Sequence, residues 1–229
     1  MASDQADAPA EYPPELSRLP PGRHGLPRDF VVHNQRERLI AGLAEAVAEK
    51  GYGGTTIADI TRHAAVSRRT FYEHFDGKDE CFVAAFDTVT EQLRERVDEA
   101  FTAEPDWPHA ARAGIAAMLT FLAAEPNLAR LAMVEALVAG PVVVERYDAA
   151  VQTFLPYFAA GREGRPKKVL KRLSDSTEEA LVGGMISLVS RRIVAGQTEE
   201  LESLLPDLTE FVLAPYVGND EAAKVARGG

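Results

Sequence analysis

The chain has 229 residues, of which 46% are hydrophobic and 26% charged, a balance that suits a globular unit with a small appendage and excludes wholesale disorder, a collagen-like repeat and a membrane-embedded protein. Its formal net charge of −10 argues at first against a nucleic-acid partner. The distribution matters more: residues 1–17 hold four acids and no Lys or Arg, residues 18–80 hold ten cations against nine acids, and residues 81–229 hold fifteen against 22. His24, His33, His63 and His74 also fall within 18–80, so an anion-binding surface belongs there. No apolar run reaches the roughly 18 residues of a membrane span, because residues such as Glu135 and Arg146 interrupt each one. Met1–Glu15 carries acids and prolines in place of a signal peptide's positive charge and apolar stretch, which points to the cytoplasm. The single cysteine, Cys81, can build neither an internal disulfide nor a thiolate zinc site, and no metal or cofactor is expected.

Residues 1–30 contain six of the fourteen prolines and few large apolar side chains, and read as a flexible arm with an acidic start and a basic end at Arg23 and Arg28. Those two arginines are equally compatible with entry into a minor groove and with a solubilising tail. From Asn34 the pattern is helical. Asn34 with Glu37 reads as a capping box, Leu39, Ile40, Leu43, Ala46 and Val47 form one apolar stripe, and Gly51 stops the helix. Two short helical patterns follow, Thr56–Ala64 and Ser67–Phe75, separated by a tight break; Thr56 with Asp59 caps the first and Ser67 the second. Further helices are expected near 78–103, 107–124, 127–139, 142–160, 175–196 and 199–216, bounded by Pro105, Pro126, Pro141, the 161–166 stretch and Gly196. Pro206 either opens the last helix or kinks it. With no defensible period-two segment, the fold class is all-α.

The two short helices carry the chemistry. Ile57, Ile60, Ala64, Val66, Phe71 and Phe75 pack against Leu39, Leu43 and Val47, a three-helix core in a helix-turn-helix layout. With Val66 and Phe71 turned inward, Arg68, Arg69 and Thr70 occupy the exposed first turn of the second short helix, the part that such units press against base edges in the major groove. An arginine fork bonds guanine O6 and N7 together, worth roughly 1–3 kcal/mol of discrimination. Tyr72, His74 and Lys78 are candidates for phosphate contacts, with Ser67 and Thr56 as further anchors. A partly buried tyrosine, a capping histidine and a plain first-turn lysine are the competing readings of those three.

Residues 55–78, ending Thr-Phe-Tyr-Glu-His-Phe-Asp-Gly-Lys, resemble the DNA-binding segment of the TetR family of bacterial transcriptional regulators. The Thr-Phe-Tyr-x-His-Phe run, the Ala-x-Val-Ser before it and the lysine beyond it carry the likeness, which is close over 34–80. Ala65 is a departure, standing where the family usually has glycine in the turn. The resemblance implies a homodimer with a DNA-binding domain at 31–77, a helical effector-binding and dimerisation domain at 78–218 and a flexible tail at 219–229. Double-stranded DNA, a second copy and a small-molecule effector are the partners it implies.

The residues themselves speak to the last two. Leu181, Val182, Met185, Ile186, Leu188, Val189 and Ile193 give one helix two overlapping apolar faces, and Leu201, Leu204, Leu205, Leu208, Phe211 and Val212 line the next. These two C-terminal helices are the expected interface, with Gly183 and Gly184 allowing close approach. Phe86, Met118, Phe121, Leu122, Met133, Phe154, Tyr157, Phe158 and Met185 are candidates for a mainly apolar cavity that accepts a hydrophobic or amphipathic molecule. The cluster Arg165, Lys167, Lys168, Lys171 and Arg172 reads as a solvated linker. An enzyme built on a helical bundle competes poorly, since the chain has no His-Glu-x-x-His, no Glu-x-x-His and no Gly-rich phosphate loop. An activator or effector-independent regulator differs from a repressor in nothing the residues encode.

Overall fold

The computed structural model describes residues 27–229, and among these all regular structure is helical. In chain order the elements are α1 (Arg28–Gly54), α2 (Ile57–Ala64), α3 (Arg68–His74), α4 (Lys78–Thr102), α5 (Trp107–Ala124), α6 (Pro126–Met133), α7 (Pro141–Ala159), α8 (Lys167–Leu170), α9 (Thr177–Val194), α10 (Leu205–Val217) and α11 (Asn219–Ala226). Arg23 and most of the expected arm lie outside the described residues. Arg28 does not: it opens α1, whose first turn closes through the Val31 amide on the Pro27 carbonyl at 3.2 Å. The helix therefore begins six residues before Asn34, which sits inside it and is not its N-cap.

The first three helices form one small core. Leu39, Leu43 and Val47 of α1, Ile60 of α2 and Phe71 of α3 are fully buried, with Ala64 and Phe75 nearly so. α2 crosses α1 at Gly42, where a Cβ would stand 2.7 Å from the Ala64 nitrogen and 2.8 Å from the Ile60 carbonyl, so the two backbones meet only because that position has no side chain. α4 is common property: Cys81, Phe82 and Ala85 face this core, whereas Phe86, Val89, Leu93 and Val97 continue into the helical body beyond it. Burial pushes the Cys81 thiol up to about 12, leaving it protonated and inert.

In the body, Asp106 caps α5 by accepting the His109 amide at 3.1 Å. The segment expected as one helix at 127–139 is α6 followed by a tighter 3-10 turn, Glu135–Val138, and Gly140 at φ +115° then redirects the chain into α7. α7 lies over the body loosely, with Val143 its only fully buried residue. Pro206 opens α10 and does not kink it, following a 3-10 segment at Thr198–Leu204. Residues 219–229 depart from the expected flexible tail: Gly218 at φ +89° turns the chain, and α11 buries Ala222, Val225 and Ala226 against α10 and α5. A polar plug closes that end, where buried Glu178 accepts from Arg162 Nε at 2.7 Å, Arg162 Nη2 at 2.9 Å and the Tyr216 hydroxyl at 2.7 Å. Trp107 stacks edge-on against Tyr216 at 4.8 Å.

Candidate nucleic-acid interface and effector cavity

Local capping sets both short helices. Thr56 Oγ1 accepts the Asp59 amide at 3.3 Å while Asp59 Oδ2 accepts the Thr56 amide at 3.1 Å, the reciprocal pair expected from the sequence. Bonds from Lys50 and Thr56 hold the Asp59 carboxyl well below the usual carboxylate range. Ser67 Oγ accepts the Thr70 amide at 3.0 Å and starts α3. Between them Ala65 adopts φ 50° and ψ 45°, the only non-glycine at positive φ among the described residues. The Val66 amide bonds the Thr61 carbonyl at 3.1 Å and the Ala65 amide the Arg62 carbonyl at 3.3 Å, a Schellman closure. Arg38 clamps the turn from α1, donating to the Ala64 and Ala65 carbonyls at 2.6 and 2.8 Å. Sequence reasoning missed this arginine, since nothing local marks a partner 26 residues away.

Phe71 and Phe75 anchor α3 from beneath, with ring centroids 5.8 Å apart, and leave Arg68 and Arg69 exposed on its first turn, with Thr70 half-buried beside them. Arg68 has no bond to any described residue, and Arg69 carries only an exposed pair to Glu73 at 3.0 Å, which is cheap to exchange for a phosphate. Other cations nearby are committed. Lys50 and Arg62 pair with Asp59, Arg62 also lies 3.7 Å from Glu49, and His63 Nδ1 bonds Glu45 at 2.8 Å, tying the back of α2 to α1. Tyr72 is 53% exposed beside Phe71 and keeps its hydroxyl available.

Two expected phosphate contacts are otherwise employed. His74 Nε2 lies 3.2 Å from Gln35 Oε1 of α1, and burial pulls its imidazole below the ordinary histidine range, so it is a neutral tie between helices. Lys78 Nζ donates to the Tyr52 carbonyl at 2.8 Å and the Thr55 carbonyl at 3.0 Å, and sits 4.1 Å from the centre of the Tyr52 ring. Its ammonium braces the end of α1 against the start of α2.

Behind this surface lies an apolar cavity bounded by α4, α5, α6, α7 and α9. It leaves about 110 Å³ for the centres of water-sized guests, several times the ~10–15 Å³ that one water needs. Phe86, Met118, Leu122, Met133, Phe154, Tyr157, Phe158 and Met185 line it as expected, joined by Val97, Phe101, Tyr147 and Ile186 among others. Phe121 does not: it is buried on another side of α5, beneath the Arg96 guanidinium 4.6 Å from its ring. Polar groups in the wall are largely spent, since Thr90 bonds the Phe86 carbonyl at 2.9 Å and Tyr157 bonds Asp98 at 3.0 Å. Such a wall favours a guest that is mainly hydrocarbon.

Most of the apolar residues expected to pair with a second copy face inward. Leu181, Val182, Met185, Val189 and Ile193 of α9, with Leu201, Leu204, Leu208 and Val212, are buried within the single chain. Along its middle α9 leaves open a strip of small residues, Ala180, Gly183, Gly184 and Ser187, with Phe211 of α10 standing 47% exposed against Gly184, and Val194 is exposed at its end.

Residues 39–85 match the family model described as bacterial regulatory proteins, tetR family. Over 59 residues the chain is 42% identical to the HTH-type transcriptional regulator CymR of Pseudomonas putida, covering 26% of this chain and 29% of that protein. It is 26% identical over 127 residues to the HTH-type transcriptional activator FasR of Mycolicibacterium smegmatis, 56% of each. The chain thus spans between 29% and 56% of the length of these curated relatives. Among solved structures, the fold is similar to FadR from Bacillus subtilis in complex with stearoyl-CoA, with a TM-score of 0.65 at 18% identity over 80% of this chain and 98% of that one. FadR from Bacillus halodurans gives a TM-score of 0.70 at 16% identity, over 78% and 94%.

Proposed function

We propose that the chain, whose residues 39–85 match the tetR family of bacterial regulatory proteins, is a regulator of that kind: it binds an operator in double-stranded DNA as a homodimer and represses transcription until a hydrophobic or amphipathic molecule occupies its cavity. Residues 31–77 are the reading unit and 78–218, with α11 packed on it, the effector and dimerisation unit. One observation carries the reading: Arg68 stands uncommitted, and Arg69 is held only by an exposed pair to Glu73, on the outward first turn of a helix locked from below by Phe71 and Phe75. Arg68, Arg69 and Thr70 meet base edges, while Tyr72, Ser67 and Thr56 bond phosphates.

The open strip of α9 with Phe211 of α10 supports pairing through the two C-terminal helices, because small residues let two such helices approach closely while Phe211 seats across them. Two reading helices must then enter successive major grooves about 34–36 Å apart, so a guest that stabilises another separation weakens binding by population shift. The stearoyl-CoA complex of the Bacillus subtilis neighbour favours a long acyl group as the guest, in keeping with a wall of hydrocarbon. The FasR likeness favours a second reading, in which the bound protein activates.

Gel-shift titration against the duplex upstream of its own reading frame tests the proposal. A specific, salt-sensitive band is expected for the wild type. Arg68→Ala should lose about 1–3 kcal/mol of discrimination between matched and mismatched sites without lowering stability. No specific band at any salt concentration sinks the reading, and reporter transcription with the gene deleted separates repression from activation.

A further inference from the structure

Glu135 opens the 3-10 turn that follows α6, in an otherwise apolar stretch, and is only 6% exposed. Its carboxylate is divided between two parts of the molecule. Oε2 accepts the backbone amide of Tyr52 at 2.9 Å, across 83 residues of sequence, and Oε1 pairs with Arg130 Nη2 of α6 at 3.2 Å. Gly51, at φ +69°, breaks α1 immediately before that amide, so Tyr52 N–H points out of the helix and finds its acceptor in the body.

Every polar handle of Tyr52 is engaged in the same way. Its hydroxyl donates to Asp79 in the first turn of α4, its carbonyl accepts from Lys78, and its ring meets Phe82 edge-on at 4.9 Å. Lys78 also holds the Thr55 carbonyl, one residue before the Thr56 cap that starts α2. On the other side, Ala132 and Met133, three and two residues before Glu135, form part of the cavity wall. A chain of direct bonds therefore runs from that wall through Glu135 and Tyr52 to the start of the helix-turn-helix. The 3-10 turn that carries Glu135 is weakly held on its outer side, with Leu137 and Val138 exposed and Gly140 at its exit.

We infer that Glu135 is the positioning residue through which occupancy of the cavity reaches the reading unit. The inference rests on the proposed effector role of the cavity. A guest that displaces α6 moves the Glu135 carboxylate with it, through both the backbone and Arg130, and the Tyr52 amide must follow or lose its acceptor. The competing route is α4, which runs unbroken through both cores and needs no carboxylate.

Hydrogen exchange read by mass spectrometry on the full chain separates the two routes. Ala150→Phe fills the cavity from α7 and stands in for a guest, so no ligand is needed. It is placed in the wild type and in Glu135→Leu, Glu135→Gln and Arg130→Met backgrounds. In the wild type, filling should change exchange over 51–64 at least fivefold. With Glu135→Leu the change over 51–64 should fall below twofold while that over 141–159 persists, and Glu135→Gln, which keeps an oxygen for the Tyr52 amide, should restore most of it. Arg130→Met, at a half-exposed position, should at least halve the response and decides the matter if Glu135→Leu does not fold. A merely structural Glu135 would raise basal exchange over 51–64 and leave the response to filling intact. That outcome, or no wild-type response, overturns the inference. Duplex binding by the same proteins is scored apart: loss of binding with an intact Glu135-dependent response sinks the proposed function alone, and binding with a response indifferent to Glu135 sinks this inference alone.

Discussion

Replacing Ala65 with glycine should stabilise the protein. Ala65 holds φ 50° and ψ 45° in the turn between α2 and α3. A left-handed alanine costs roughly 1–2 kcal/mol because its Cβ crowds the following carbonyl oxygen. Against this stands the extra freedom of glycine in the unfolded chain, which offsets about 0.5–1 kcal/mol. The methyl group itself is exposed, and the bonds that define the turn are all backbone: Val66 to Thr61, Ala65 to Arg62, and Arg38 onto the Ala64 and Ala65 carbonyls. None needs a side chain at position 65. The net gain is therefore about 0.5–1 kcal/mol, or roughly 1–4 °C in Tm for a chain of this size. Urea and thermal melts at fixed protein concentration measure it, with an unchanged denaturant slope as the sign that only the folded turn was relieved. Ala65→Val serves as the opposite control, since a β-branched side chain fits this region worse still. A fall in stability on going to glycine would refute the reasoning, because it would mean that the methyl contributes contacts outweighing its strain.

Gly42→Ala should destabilise by about 1–3 kcal/mol through overpacking, because the added carbon would meet the backbone of α2 and not a movable side chain; denaturant melts and loss of operator affinity together would show it. Lys78→Met should cost about 1–3 kcal/mol of stability by leaving the Thr55 carbonyl short of its partner, while the slope of log affinity against log salt stays that of wild type. A slope change without a stability loss would restore Lys78 to the DNA surface. Acidification should loosen the end of the body, with Trp107, the only tryptophan, as the fluorescent reporter. Arg162 foremost, then Tyr216, holds the Glu178 carboxyl below its unfolded range, so the stability it supplies is complete above the ordinary glutamate value and is lost as pH falls through the lowered one. Glu178→Gln should flatten that acid limb, and an unchanged limb would show that other carboxylates set it.

Elements whose signals are local were legible from the residues alone. The Thr56 and Asp59 exchange, the Ser67 cap and the Phe71 and Phe75 spacing each depend on neighbours within four positions, and the reading unit follows from them. Signals failed where a distant partner decides. Asn34 and Glu37 look like a helix start, but Pro27 seven residues earlier already provides one. Phe121 lies on a helix that is apolar on more than one side, and periodicity alone does not say which side meets the cavity. α11 has only small side chains and Val225 to bury, and it forms because α10 and α5 supply a surface. For Glu135 a signal was present and went unused: a lone acid inside the apolar run from Leu131 to Ala139 must find a partner when buried.

The fourfold engagement of Tyr52 bears on modularity. Helix-turn-helix heads are tempting to exchange between scaffolds at the α3 to α4 link, keeping one sensor and choosing a new target. Here such a graft would bring a foreign α1 whose broken end has to offer an amide to Glu135 and a carbonyl to Lys78. A chimera that ignores those two appointments keeps its address and its sensor, and loses the conversation between them.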